Sequence, residues 1–408
     1  MIAVKELCMK DNDLLNFVRM DIPLQFNEIN VLKKHWSRVI NIFEGNILPP
    51  YEVLIHPSSI CNLDCKWCIG AYVSRKENKD ILLENNLYNI DNMKKIVDQI
   101  LNMKKEAVDY KTNTLKEYKI ENVSFSGITG EPLIAKESIC YAINKLTENN
   151  IRVGIFTNGL LITKDILSVI SKLSYVLISI DAGCEETYQK LKSPNSNKLP
   201  LYSKLLDNIK NLNEYKKENN SQIDINVGYI INQYNYKETY MLAKQLKECG
   251  VHYMRFKTDI ASLLNMDQEE RETAKKIINK IKNELCDDYF QVVEIHNLET
   301  DSNDKIRLHK KCFIHYLVGN ISSDGNLYPC NYHPKRNGYN YGSLLTNNYN
   351  DIWFNILNNE IDSQLPGICP KVCDPFKNRA NRLLEKAYEI YKEKGIDYLK
   401  KCVDEINL

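Results

Sequence analysis

The chain has 408 residues, with 54 Lys+Arg against 53 Asp+Glu and a formal charge of +1, which excludes a globally basic nucleic-acid binder and gives no pull toward an anionic membrane. At 43% hydrophobic and 26% charged residues it can bury a core, and its length calls for two or three modules or one large α/β barrel with attachments. No apolar run approaches a membrane span and charges break the N-terminus too early for a signal peptide, so the chain is expected in the cytoplasm.

Residues 1–50 read as a helical preface, because Ile29, Leu32, Trp36, Ile40 and Phe43 fall at helical spacing and Leu48-Pro49-Pro50 ends the run. YEVLIHP (51–57) predicts a first buried strand that leads into a cysteine-rich loop. A long insert follows at about 75–120, with a lysine-bearing helical stretch from about 91 to 118. It reads as a solvated surface helix, the alternative being a lid or a partner-docking element. Strands are then expected at 121–127, 152–159, 175–183, 223–231, 252–258 and 291–296. Helices at 137–149, 163–173, 201–218, 236–249 and 267–285 separate them. Such alternation gives an α/β fold with a parallel sheet, and six βα units fit a partial (β/α)6 barrel over residues 51–300 better than a closed eight-stranded one.

Thirteen cysteines, an odd number without a secretion signal, argue against a disulfide framework. Cys61, Cys65 and Cys68 sit in CNLDCKWC, spaced C-x3-C-x2-C, on the loop after the first strand. Three thiolates serve three corners of a four-iron cubane and leave one iron open to a small chelating molecule. A structural zinc site would want a fourth ligand.

On that motif the sequence resembles the radical S-adenosylmethionine (radical SAM) superfamily over roughly residues 50–300. The resemblance implies a [4Fe-4S] cluster on Cys61, Cys65 and Cys68 within a partial barrel. S-adenosylmethionine would chelate the open iron and be cleaved to a 5′-deoxyadenosyl radical that abstracts hydrogen. It also implies cofactor contacts: Trp67 facing the adenine, and Gly130 and Glu131 of GITGEPL receiving the methionyl ammonium. Thr157 and Asn158 of FTNG would line the cofactor, and Ser179 and Asp181 of ISIDAG would meet ribose or substrate. These four segments occur in the family's order.

Past the barrel, Cys312, Cys330, Cys369 and Cys373 form two pairs. SSDGNLYPC predicts a hairpin turning at Asp324-Gly325 and ending on Cys330, and CPKVC puts two sulfurs on one turn. Four thiolates close a site, and coordination alone admits zinc or a second four-iron cluster. His315 and His333 are nearby substitutes, and Cys402 is remote. The Cys312-x12-Gly325-x4-Cys330 spacing resembles the SPASM domain and its shorter twitch relative, which implies one auxiliary [4Fe-4S] cluster in a cysteine-rich hairpin/helix region at 301–380. A C-terminal helix at 381–408 follows.

The expected activity is a radical SAM enzyme of oxidoreductase, dehydratase or epimerase type, acting on a C–H bond of a small polar metabolite such as an aminosugar. The small-metabolite preference rests on the short, helical N-terminus and the single auxiliary cluster. One alternative is a maturase of a ribosomally made peptide or protein, and a second is a zinc-holding binding protein. An electron donor such as flavodoxin or ferredoxin is implied, with no nucleic-acid or membrane partner.

Overall fold

The structure, a computed structural model of the chain, describes residues 12–68, 83–127, 130–193, 200–260, 264–298, 307–334, 339–370 and 373–406. Its frame is a ten-stranded sheet in the order β12-β11-β10-β1-β4-β5-β6-β7-β8-β9. The seven strands on one side are β1 (Glu52–Ile55), β4 (Asn122–Phe125), β5 (Arg152–Thr157), β6 (Tyr175–Ser179), β7 (Asp224–Ile231), β8 (Tyr253–Thr258) and β9 (Gln291–Glu294), all parallel. Helices α3 (Lys136–Glu148), α6 (Leu201–Glu218), α7 (Thr239–Glu248) and α8 (Gln268–Glu284) connect them, the expected α/β partial barrel. The 163–173 stretch gives only a short α4 (Leu167–Ile170) after a 3-10 turn, and α5 (Glu185–Lys192) is a helix the periodicity did not reveal.

Alternation along each strand divides the side chains. Val53, Ile55, Val123, Phe125, Ile225, Val227, Tyr229, Met254 and Phe256 join the buried core under the helices. Their neighbours Glu52, Ser124, Asn226, Arg255 and Lys257 face the concave side, because successive strand residues point to opposite faces. That lumen is polar, and at this depth it holds buried atoms without partners: Nε2 of His56, Oδ1 of Asn226 and Nε of Arg255. Buried polar groups are normally paired. A lumen lined with spare donors and acceptors is built for a polar occupant.

The predicted hairpin is present as β10 (Val318–Ile321) and β11 (Asn326–Tyr328), with Gly325 in the left-handed region at φ +81°. Here β10 pairs with β1 in parallel register, Glu52 opposite Val318 and Ile55 opposite Ile321, so the cysteine-rich region extends the barrel's own sheet. Antiparallel β11 and β12 (Gly342–Ser343) finish that edge. The last helix, α11 (Pro375–Asp404), is N-capped by Asp374, which accepts from Lys377 N at 3.2 Å.

The insert departs from its expected form. Helix α2 (Ile90–Asn102) ends early, and β2 (Lys104–Asp109) pairs antiparallel with β3 (Thr114–Lys119). The chain there is held by α1 (Ile29–Phe43): Ser37 Oγ donates to Asp109 at 2.6 Å, Asn41 Nδ2 to Val108 O at 3.1 Å, and Arg38 Nη2 to Lys119 O at 2.6 Å. These tertiary bonds override the helical reading of 91–118 and make the hairpin a brace for α1. Part of the insert, residues 69–82, lies outside the described residues.

Candidate active site and the second cysteine cavity

The thiol loop leaves the C-terminal end of β1 and is held on two sides. Asp64 N–H donates to Lys192 O and Lys66 N–H to Leu191 O, each at 3.0 Å, so the end of α5 fixes its backbone. Glu131 N–H donates to Ile60 O at 2.8 Å. At Gly130 an added Cβ would lie 2.4 Å from Ile60 O and 2.6 Å from Ser58 O. Only glycine permits that approach. Cys68 N–H reaches Cys65 O at 3.1 Å, setting two of the three thiols on one turn. Burial pushes the Cys65 thiol up to about 12, with Lys192 opposing and Cys68, Asp181 and Cys61 adding to it, and burial raises Cys61 too. Such thiols give up their protons to a metal, not to solvent.

The residues expected around the cofactor lie at one end of the sheet. Gly130 and Glu131 follow β4, Thr157 and Asn158 close β5, and Ser179 and Asp181 close β6. This is the end where parallel sheets bind ligands. Glu131 is 3% exposed. Its carboxylate accepts from Thr157 Oγ at 2.6 Å, Asn158 N at 2.8 Å and Leu133 N at 3.1 Å. Three acceptor places of about four are thereby filled, leaving room for one further donor. Burial raises its pKa, and those three bonds pull it back. Asn158 Nδ2 donates to Asn62 Oδ1 at 2.7 Å, which ties β5 directly to the thiol loop. Trp67 is buried against Leu191 and Leu264, with Ile230 packed on the group.

One residue escaped the sequence reading. Lys192 pairs with Asp181 at 2.7 Å, both side chains 3% exposed, and also donates to Ser179 O at 3.2 Å. Burial alone would lower its pKa, but Asp181, with Cys65 and Tyr188, holds it above the ordinary value. Asp181 adopts φ +51° and accepts from Ile230 N at 2.6 Å, so it is fixed from both sides. Nothing in the sequence marks this lysine among 54 basic residues. Lys192→Ala should destabilise the fold by about 3–5 kcal/mol, because it strands a buried carboxylate; urea unfolding of the metal-free protein measures this.

The second set converges as well. Cys312, Cys330, Cys369 and Cys373 line a single cavity together with His309, His315, His333, Asp374 and Lys377. Burial would raise Cys312, but His309 and His315 outweigh it and bring its thiol down to about 5. His315 Nε2 stands 2.7 Å from Asp362 Oδ1, so the imidazole is oriented by a carboxylate. Cys330 and Cys373 are raised by burial. Val318 and Asn320 of β10 also line this cavity. They are the register partners of Glu52 and Leu54, so cavity and lumen share one face of the sheet.

Three thiols on one loop suit the open corner of a four-iron cluster, and the four around the cavity admit a second such cluster or zinc. Among the described residues no three His, Cys, Asp or Glu side chains meet closely enough to hold one metal ion. No described helix is long and apolar enough to cross a membrane.

Comparison with known proteins gives this geometry its context. Residues 55–246 match the Radical SAM superfamily. A cysteine-type anaerobic sulfatase-maturating enzyme of Clostridium novyi (strain NT) is 24% identical over 341 residues, 77% of this chain and 82% of that protein. Crystal structures of Streptococcus suis SuiB, one bound to S-adenosylmethionine and one to the precursor peptide SuiA, superpose with TM-scores of 0.56 at 16% identity. They cover 90% of this chain and 78% of SuiB, and the likeness is one of fold. The expected small-metabolite substrate is corrected by these matches. The relative that spans most of the chain matures a protein, and the fold is shared with a protein that takes a precursor peptide. The short helical N-terminus and single auxiliary site carried too little information to name a substrate.

Proposed function

We propose, from the premise that this chain belongs to the radical SAM superfamily through residues 55–246, that it is a maturase oxidising a side chain of a peptide or protein. The observation that carries this reading is the match to a sulfatase-maturating enzyme along 77% of the chain. The superfamily's S-adenosylmethionine and [4Fe-4S] cluster supply a 5′-deoxyadenosyl radical, which takes one hydrogen atom from a C–H bond. An auxiliary cluster on Cys312, Cys330, Cys369 and Cys373 would supply the acceptor for the second electron, with the proton passing to solvent, so that the net change would be a two-electron oxidation.

The chain's own residues divide the work. Cys61, Cys65 and Cys68 hold the first cluster, and Cys312, Cys330, Cys369 and Cys373 the auxiliary one. Gly130 lets the backbone after β4 lie against the thiol loop. Glu131 uses its remaining acceptor place for the methionyl ammonium, Trp67 packs beside the adenine, and Thr157 and Asn158 hold Glu131 and the loop in place. Ser179 and Asp181 flank the ribose side. Residues 51–300 form the catalytic barrel and 301–380 the auxiliary region, with a flavodoxin or ferredoxin as electron donor.

Glu131→Gln should weaken S-adenosylmethionine binding about ten- to a hundredfold, the worth of one charge-assisted hydrogen bond of about 1.5–3 kcal/mol. Its iron content should stay at the wild-type level. Equilibrium binding of labelled cofactor decides, and an unchanged dissociation constant removes Glu131 from the cofactor site. The function itself is tested with reconstituted enzyme, S-adenosylmethionine, dithionite and synthetic peptides each centred on a cysteine. A peptide mass loss of two hydrogens, or the further change that hydrolysis brings, with one 5′-deoxyadenosine per event supports the reading. No change in any peptide sinks it.

A further inference from the structure

Strand β8 carries a cation that the cofactor site does not use. Its burial alternates along Tyr253–Thr258, with Met254, Phe256 and Thr258 buried toward the helices and Tyr253, Arg255 and Lys257 half-buried toward the lumen. Tyr253 packs edge-on against Phe26, and Arg255 stands over the same ring at 4.8 Å. Both belong to the closed end of the barrel. Lys257 is the last lumen residue of the strand, at the end where the thiol loop lies.

Its position is fixed by register. Lys257 is the partner of Ile230 on β7. The side chain of Ile230 packs on the group that holds Trp67, and its amide donates to Asp181 at 2.6 Å. Lys257 therefore stands one strand away from the residue that touches the first thiol site. Asp374, which follows Cys373 directly and lines the second cavity, attracts the Lys257 ammonium electrostatically, and so does Asp181 beside the first site. Its charge is felt at both sites.

Its part in the fold is a long-range attraction to Asp374 and Asp181. Among the described residues its ammonium makes no hydrogen bond or ion pair, and both of those acids also face other cations. Asp181 is taken by Lys192 at 2.7 Å. Asp374 lies in the field of His296 and Lys377 as well as Lys257, and its carboxylate caps α11. An ammonium presents three donors and no acceptor. Half-buried and without a close partner, the ammonium is available to an oxygen acceptor brought in by a ligand.

We propose that Lys257 positions the substrate, its ammonium binding a carbonyl or carboxylate oxygen of the peptide residue to be oxidised. This rests on the maturase reading. The bound oxygen would hold the reacting C–H bond near the first site while the second stays within reach for the electron. Lys257 is a positioning residue, because it gives and takes no atom in the oxidation.

The experiment compares wild type, Lys257→Met and Lys257→Arg as reconstituted full-length enzymes with the cysteine-centred peptides. Peptide amides in place of free carboxylates tell a backbone carbonyl from a terminal or side-chain carboxylate. Losing one charge-assisted bond should raise the peptide KM of Lys257→Met by about tenfold or more, with a smaller change in kcat. Each modified peptide should then cost more 5′-deoxyadenosine, since poorly held substrate is missed by the radical. Lys257→Arg, which keeps the cation, should recover most of the KM. Iron content and melting temperature should match wild type in both variants. An active wild type with an unaffected Lys257→Met KM overturns the inference and leaves the maturase reading standing. Equal losses in Lys257→Met and Lys257→Arg, or lost iron, make the residue structural and overturn it too. A wild type that alters no peptide overturns both.

Discussion

Replacing Cys61, Cys65 and Cys68 together by Ala should abolish 5′-deoxyadenosine formation, with or without peptide. The three thiols stand on one loop whose backbone is tied to Leu191 O, to Lys192 O and, through Ile60 O, to Glu131 N. Removing the sulfurs breaks none of those bonds, so the barrel should fold while the open cluster is lost. Iron should fall to about half if both sites hold four irons. The remaining absorption should no longer respond to S-adenosylmethionine, since four-thiolate ligation leaves no open iron. Single replacements should be nearly as severe, because a cubane stripped of one of three thiolates is exposed to solvent at two irons. Cofactor cleavage by the triple variant at more than a trace of the wild-type rate would remove the cluster from this loop.

The parallel sheet was readable because its strands are short apolar runs, rich in branched residues, set between amphipathic helices. The strand expected at 152–159 is Arg152–Thr157, and the one at 252–258 is Tyr253–Thr258. What the periodicity missed was decided at long range. Residues 104–119 alternate Lys, Glu and Tyr in a way that also suits a charged helical face. Their strand form is selected by Ser37, Arg38 and Asn41 of α1, far away in the chain. Pairing of β10 with β1 is equally invisible locally, and it brings the second cysteine cavity onto the sheet face that lines the lumen. At the site, Gly130, Glu131, Thr157 and Asn158 could be named from the family resemblance, and the structure brings them together through the hydrogen bonds that Glu131 accepts. Lys192 and Lys257 could not be named. A lysine acquires meaning only when burial removes its water, and burial is a property of the fold. The substrate was the least legible part, since no motif in the sequence marks the groups that meet it.

Replacing Cys369 and Cys373 by Ala should separate the two sites. Both thiols line the cavity with Cys312 and Cys330, and Cys373 leads directly into Asp374, the N-cap of α11. The variant should lose one cluster, hence about half the iron. Reductive cleavage of S-adenosylmethionine should survive, because the loop that carries Cys61, Cys65 and Cys68 makes its backbone contacts with β4 and α5 rather than with this cavity. Peptide oxidation should fall a hundredfold or more, about 3 kcal/mol on the barrier, since the substrate radical has no acceptor for its electron. Stability should fall as well: metal binding at a thiolate site is also folding free energy. The helix cap itself should persist, since Asp374 accepts from Lys377 N without any sulfur. Iron analysis, 5′-deoxyadenosine yield and peptide mass are read from the same preparation. Wild-type iron in a folded double variant, with zinc found in the native protein, would make the cavity a structural zinc site. Electron removal from the substrate would then need another acceptor.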